Sequence, residues 1–243
     1  MIYLLSKGNA FLCKFDYFLT QNTINMNKSG LLYKTLRDIA KELLYWAQRL
    51  KHIIIHPAYP RNPDGKVYIH LGCGEIASPE FINVDSRVFP HIHHVHSVEK
   101  LPMFPADYAD MVYASHILEH IEMNQVPCVL AEWYRVLKTG GILRLGVPDF
   151  DAMIHIYNDN NKQLESIWSA LLGNQDYKEN KHYACFNTDN LTEFLKKAGF
   201  VTVRKWEANN VEHHNFIDWT SDGKYEHNGK KYRISLNIEA IKE

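Results

Sequence analysis

The sequence of 243 residues lacks several features that would place it in a specialised class of protein. Its four cysteines (Cys13, Cys73, Cys128 and Cys185) include no C-x-x-C pair, so neither a disulfide framework nor a cysteine zinc cage is indicated. No apolar run approaches the roughly 18 residues that a membrane-spanning helix requires. The 27 Lys and Arg nearly balance the 28 Asp and Glu, which disfavours a polyanion-binding protein. We therefore expect a soluble cytoplasmic protein that binds no nucleic acid and inserts into no membrane.

The N-terminal quarter of the chain divides into two segments. Residues 1–28 mix apolar residues with charged ones and end in a polar stretch, so we expect a poorly ordered segment and no export signal, with Met26 as an alternative start. In residues 29–65, apolar positions spaced by three and four predict a helix over about 31–52, and a Pro-rich linker follows at 56–65. We expect this helical extension to cap a site or to form a homodimer.

Residues 66–243 alternate between strand and helix patterns. Apolar periodicity predicts helices at about 124–138 and 188–198. Short β-branched and aromatic segments predict strands at 66–71, 81–84, 94–96, 111–114, 142–147, 201–206 and 234–241. This alternation implies an α/β domain with a mostly parallel, doubly wound sheet covered on both faces. In such sheets the ligand lies beyond the carboxyl ends of the strands.

A glycine turn follows the first of these strands. Gly72-x-Gly74-x-x-Ala77 satisfies the dinucleotide fingerprint, so an NAD-linked oxidoreductase is one interpretation. However, Asp85 ends the next strand and leaves only residues 75–80, which include Pro79, for the helix that a pyrophosphate needs. S-adenosylmethionine (SAM) has an adenosine ribose without a pyrophosphate and fits this spacing better. The glycines would admit the ligand, and the Asp85 carboxylate would accept hydrogen bonds from both ribose hydroxyls.

Five motifs in a fixed order carry a family resemblance. They are His70-Leu-Gly-Cys-Gly-Glu75, Ile82-Asn-Val-Asp85, Leu101-Pro-Met-Phe-Pro105, Asp110-Met-Val-Tyr-Ala-Ser-His-Ile-Leu-Glu-His120 and Glu132-Trp-Tyr-Arg-Val-Leu-Lys-Thr-Gly-Gly-Ile-Leu-Arg-Leu-Gly-Val-Pro-Asp149. The series resembles the class I SAM-dependent methyltransferases, and more narrowly the bacterial branch associated with surface polysaccharide and capsule biosynthesis. The resemblance implies a Rossmann-like domain over residues 66–243, with a seven-stranded sheet whose terminal strand is antiparallel, and SAM as cofactor.

Position by position, the resemblance also implies a cofactor site. It assigns the methionine half to His70, Gly72, Cys73 and Gly74, the ribose to Asp85, the adenine edge to Ser97 and Val98, and the vicinity of the methyl group to Ser115 and His116. Two positions depart from the usual pattern: His70 replaces an acidic residue and Ser97 replaces a frequent aspartate. These departures keep an inactive methyltransferase-like binding or scaffold protein as an alternative.

Transfer of a sulfonium methyl group is an in-line displacement that, for a hydroxyl acceptor, also requires removal of a proton. His116 follows the fourth strand and is the first candidate base, and His182 is the second; an amine acceptor would need neither. We expect O-methylation of a small-molecule or saccharide-precursor acceptor, the saccharide resting on the resemblance alone. Four aromatic residues either stack on such a sugar or belong to the core: Tyr183, Phe186, Phe216 and Trp219.

Histidine-rich segments raise the alternative of a metal site. His116-Ile-Leu-Glu119-His120 spells H-x-x-E-H, and a helix would place both imidazoles on one face. No motif for a third zinc ligand is identifiable. In the second cluster (His91, His93, His94 and His96) an alternating strand separates His93 from His94 and His96. We therefore expect no metal.

Overall fold

The computed structural model describes residues 35, 39, 43, 47 and 57–243, except 178, 209 and 222–224. The chain divides into two compact units, Met1–Ala58 with Val88–His93, and Tyr59–Arg87 with His94–Glu243. In the first unit, Thr35, Ile39, Leu43 and Ala47 are helical, which fits the expected helix, and Phe89 and Ile92 close a turn. The rest of that helix, the segment 1–28 and Met26 lie outside the described residues.

The second unit is built on a seven-stranded sheet. Its strands are β1 (Tyr68–Leu71), β2 (Phe81–Asp85), β3 (His94–Val95), β4 (Ala109–Ser115), β5 (Leu137–Pro148), β6 (Thr202–Lys205) and β9 (Ser235–Ile241). They lie in the order β3-β2-β1-β4-β5-β9-β6. β9 is antiparallel to both of its neighbours, whereas the pairs from β3 to β5 are parallel. The predicted sheet, including its antiparallel terminal strand, is confirmed.

Helices cover one face of this sheet. Helix α1 (Val126–Val136) has Pro127 in its first turn and packs against β5 and against helix α4 (Thr188–Lys197). Asn187 precedes α4 and forms a capping box with Asn190. The Asn187 side chain accepts a hydrogen bond from Asn190 N–H, and the Asn190 side chain accepts one from Asn187 N–H. Buried aliphatic residues of β1, β4 and β5 pack against these helices around Trp133. This core holds the strand ends in fixed positions.

The opposite face of the sheet is aromatic. Tyr68, Phe81, Met111 and Tyr113 pack there with Trp206, and Phe216 lies against them. The described part of the segment 206–221 contains no helix. Coil from this segment therefore covers this face of the sheet.

Between β5 and α4 the structure contains helices that the sequence analysis left unassigned. They are α2 (Phe150–Asp159), capped by the Asp149 side chain on Asp151 N–H, and α3 (Trp168–Leu172). They form a second core with a hairpin of β7 (Tyr225–His227) and β8 (Lys230–Tyr232). Asn228 and Gly229 turn this hairpin with φ of 50° and 75°.

Two absences expected from the composition can be examined in the described residues. There, no helix has the length and apolar character needed to cross a membrane. Cys73, Cys128 and Cys185 are free thiols.

A buried ion pair fixes the antiparallel strand between its neighbours. Arg144 of β5 and Glu239 of β9 lie in register, and a guanidinium nitrogen is 2.7 Å from the carboxylate, with both side chains at most 4% exposed. Arg204 of β6 binds the other carboxylate oxygen at 2.9 Å, but its side chain is 59% exposed. The same carboxylate thus has one buried partner and one exposed partner.

We expect Arg144→Met to lower the free energy of unfolding by about 3 kcal/mol, because it leaves the buried Glu239 carboxylate with only an exposed partner. Arg204→Met removes that exposed partner and should cost less than about 1 kcal/mol. Urea denaturation of the two variants measures the difference. Equal losses would contradict the greater weight given to the buried pair.

Candidate active site

Two adjoining cavities lie at the carboxyl edge of the sheet. The larger, of about 340 Å³, is lined by the glycine turn after β1, the residues after β4 and the loop after α3. The smaller, of about 210 Å³, lies over the ends of β2 and β3. The residues common to both linings are Gly72, Arg87, Ile117, His120 and Tyr177. This is the edge at which ligands bind in open parallel sheets.

All ten predicted site positions fall on these two cavities. Gly72 and Asp85 line the smaller one with Ser97 and Val98. The larger one brings together the remaining predicted residues: His70, Cys73, Gly74, Ser115, His116 and His182, again with Gly72. The fold thus brings residues that are far apart in the sequence to two cavities that share five lining residues.

The glycine turn makes close contacts with the side chains of Ile117 and Asp85. Gly72 has φ of 61°, and a Cβ there would lie 2.0 Å from Ile117 Cδ1. Gly74 N–H donates to Asp85 Oδ2 at 2.7 Å, and Arg87 N–H donates to Asp85 Oδ1 at 2.8 Å. No helix occurs in residues 75–80, all of which are described, so there is no helix N-terminus here for a pyrophosphate. The geometry argues against a dinucleotide.

Two of the predicted residues, His70 and Cys73, are buried. His70 is 1% exposed and packs its ring among aromatic residues, 4.9 Å from Tyr113 and stacked at 5.7 Å on Phe216. This packing explains an imidazole where the family resemblance leads us to expect an acidic residue. Burial, followed by the nearby Asp85 charge, raises the pKa of the Cys73 thiol, so this thiol is neutral and a poor nucleophile.

His116 occupies a strained position directly after β4. Its φ of 51° is in the left-handed region, which is uncommon for a residue with a side chain and concentrates at functional sites. His116 Nε2 lies 3.0 Å from Ser235 Oγ, and Ser235 donates its own proton to Asn237 Oδ1. Ser235 therefore accepts from His116 Nε2–H, which leaves Nδ1 as the remaining ring nitrogen.

A buried carboxylate stands next to this imidazole. Glu119 is 1% exposed, its Oε1 lies 3.4 Å from His116 Nδ1 and 4.0 Å from His182 Nε2, and one atom each from Glu119, His120 and His182 lie within 4.8 Å of one another. Although burial alone would raise the pKa of Glu119, the neighbouring imidazoles, His116 first, hold it below its usual value. Burial lowers the pKa of His182.

The main chain ties these residues together across the fold. Glu119 C=O accepts Tyr183 N–H at 2.8 Å and Ala184 N–H at 3.1 Å, which holds the loop that carries His182. The H-x-x-E-H segment identified in the sequence thus has a further histidine beside it. No local sequence pattern predicted this contact, because the two segments are separated by α1, β5, α2 and α3.

Several other cavity residues also lacked a sequence signal. Arg87 lies 5.1 Å from the ring centroid of Tyr177, and the pair borders both cavities. Asp218 is buried and hydrogen-bonded to Tyr113 and Thr220; burial alone would raise the pKa of Asp218, but the bonds from His214, Thr220 and Tyr113 hold it well below its usual value.

The aromatic candidates divide between cavity and core. Trp219 lines the larger cavity and Tyr183 the smaller, each about half exposed, whereas Phe186 is fully buried and Phe216 packs in the aromatic layer. The second histidine cluster (His91, His93, His94 and His96) contributes no residue to either cavity.

Comparison with known proteins agrees with this architecture. Residues 76–145, less than half of the chain, match a family model described as a methyltransferase domain. No curated protein matches the chain. A SAM-dependent methyltransferase from Archaeoglobus fulgidus shares 18% identity at a TM-score of 0.47, covering 83% of this chain and 94% of that one. One from Methanosarcina mazei shares 14% at 0.44, covering 78% and 96%. At these scores the two structures carry no further argument.

The matched methyltransferase domain and the seven-stranded Rossmann-like sheet indicate that the protein has SAM-dependent methyltransferase activity. Its cofactor is S-adenosyl-L-methionine. The glycine turn and the Asp85 carboxylate fit that cofactor, since together they offer a backbone open to close approach and a buried acceptor for hydroxyl groups.

We expect Asp85→Asn to weaken binding of S-adenosylhomocysteine roughly 10- to 100-fold, because hydrogen bonds to a charged acceptor contribute about 1.5–3 kcal/mol. Asp110→Asn is the matched control: its carboxylate likewise accepts a backbone N–H, that of Val67 at 2.8 Å, but lines neither cavity. Calorimetric titration gives both affinities. Unchanged affinity in Asp85→Asn, or an equal loss in Asp110→Asn, would refute the ribose assignment.

Proposed function

We propose that the protein transfers the SAM methyl group to a hydroxyl of a small saccharide precursor, of the kind used for surface polysaccharide or capsule. The observation that carries this proposal is the exposed Trp219 indole in the larger cavity, 6.0 Å between ring centroids from His116. Aromatic faces of this kind form apolar platforms for flat ligand surfaces. The family resemblance supports the polysaccharide context.

The lining of the larger cavity suits a polyhydroxylated acceptor. Beyond the glycine turn it includes Ser169, Asn174 and Asn180 together with the buried Asp218. These side chains offer hydrogen-bond donors and acceptors around an apolar indole, the usual composition of a site that orients a small polar ligand. A cofactor bound at the glycine turn would have its transferable methyl group at the same cavity, since Gly72, Gly74 and His116 all line it.

In this proposal the chain aligns the two substrates and removes one proton. Gly72, Gly74 and Asp85 hold the cofactor, Ser97 and Val98 border the adenine, and the acceptor oxygen is directed at the methyl carbon. The oxygen lone pair forms the new C–O bond while the C–S bond electrons return to sulfur. His116, at the end of β4 and beside Glu119, is the proposed proton acceptor, with His182 second.

A panel of acceptors tests the saccharide proposal. We expect methyl ethers on a sugar nucleotide or free monosaccharide, detected by mass spectrometry after incubation with labelled SAM. Trp219→Ala should raise the acceptor KM about 3- to 10-fold, the loss expected for one aromatic contact. Trp168→Ala is matched in residue type and exposure but lies outside both cavity linings, so it should leave KM unchanged. Methylation restricted to amines would overturn the proposal.

The proton acceptor is tested by His116→Asn. We expect kcat to fall about 100-fold or more while affinity for S-adenosylhomocysteine stays unchanged, because general base catalysis contributes 10²–10⁴ to rate. His182→Asn is compared under the same conditions. A small effect in His116→Asn would reject His116 as the base.

A further inference from the structure

Three titratable side chains of the larger cavity lie close together, and none of them belongs to the proposed SAM-binding residues. Glu119, His120 and His182 each present one ligand-type atom, and these atoms lie within 4.8 Å of one another. His120 and His182 approach with their ring centroids 4.8 Å apart at 85°. Two neighbouring imidazoles and a carboxylate are the donor set of many sites for divalent first-row metals.

The hydrogen bonds of the imidazoles orient their lone pairs. His182 Nδ1 lies 2.8 Å from Ala170 C=O, and His120 Nδ1 lies 3.1 Å from Lys181 C=O. A carbonyl can only accept, so both Nδ1 atoms carry protons, and in each neutral ring Nε2 is the basic nitrogen. Backbone carbonyls on the remote nitrogen of a histidine are the usual outer contacts of metal ligands.

The carboxylate is the second, independent sign of a cation site. Glu119 is 1% exposed, and neither of its side-chain oxygens makes a hydrogen bond with any described group. His116 Nδ1 is 3.4 Å away without hydrogen-bond geometry, since the His116 proton on Nε2 is used at Ser235. A buried carboxylate without such partners is costly, and a bound cation relieves that cost.

We propose that Glu119, His120 and His182 bind one divalent first-row cation of the Zn²⁺ type at the wall of the larger cavity. The 4.0 Å between His182 Nε2 and Glu119 Oε1 exceeds the roughly 3.4 Å between ligands of a tetrahedral zinc ion, so the side chains draw together on binding. Three protein ligands leave a coordination position on the cavity side.

The open position gives the site a function, and this step rests on the proposed hydroxyl acceptor. A hydroxyl bound to such a cation is fixed in place and ionises more readily. Its proton passes to His116, the proposed base, its oxygen forms the bond to the methyl carbon, and sulfur keeps the C–S electron pair, which yields the methyl ether and S-adenosylhomocysteine. His182 acts in this arrangement as a ligand.

Metal binding is measured on the untagged full chain after chelation and dialysis. We expect one equivalent of Zn²⁺ by elemental analysis, and one of Co²⁺ with the intense visible bands of a low-coordinate site. Glu119→Gln and His182→Asn should each weaken binding at least about 10-fold, as even loss of an outer contact does. His155→Asn, an exposed histidine on α2, is the matched control and should bind normally.

The outcomes separate the metal site from the proposed function. Less than one equivalent bound by the parent chain, or unchanged binding in both Glu119→Gln and His182→Asn, overturns the site. Unfolding midpoints and S-adenosylhomocysteine affinity show whether the variants remain folded; if both fail to fold, His120→Asn supplies the same comparison. Stoichiometric metal without hydroxyl methylation would support the site and refute the proposed acceptor.

Discussion

The close approach of two backbone segments at the carboxyl edge of the sheet is the constraint on which the site depends. β1 and β4 run parallel in register, with Leu71 beside Ala114, so the turn after one strand meets the turn after the other. Gly72 has a φ of 61°, which favours glycine, and a Cβ there would overlap the Ile117 side chain in its present position. The contact brings the proposed cofactor turn alongside the segment of His116 and Glu119, the position from which the proposed base would act.

The second organising contact is the carbonyl of Glu119, which receives two N–H groups from the loop after α3. This loop lines the larger cavity and brings His182 Nε2 to 4.0 Å from Glu119 Oε1. The Glu119 residue thus has a structural role through its main chain and leaves its side chain available. A buried charge without a hydrogen bond lowers the stability of the fold, and such groups concentrate at functional sites.

The sequence was sufficient for the elements that local patterns specify. Gly72 and Asp85 stand out because a turn and a strand end restrict the residue type and the spacing. The strands could be located because each is a short segment rich in β-branched and aromatic residues. Helices α2 and α3 and the contacts of Arg87 and Asp218 depend on packing between distant segments, which no periodicity reports. The case of His182 is intermediate: its residue type suggested chemistry, but its partner Glu119 emerged only from the fold.

Asp85 and Glu119, two buried carboxylates of the site, have different hydrogen-bond partners, and this difference separates their proposed roles. Asp85 accepts N–H groups from Gly74 and Arg87, so the protein already compensates its charge, and its remaining lone pairs suit neutral ribose hydroxyls. The Glu119 side chain accepts no hydrogen bond from the described groups and lies beside imidazoles, so it suits a positive charge. The cofactor carries one positive charge, on its sulfonium, and this charge is lost when the methyl group is transferred. A bound metal would instead persist through the cycle, so Glu119 would remain compensated after methyl transfer as well as before it.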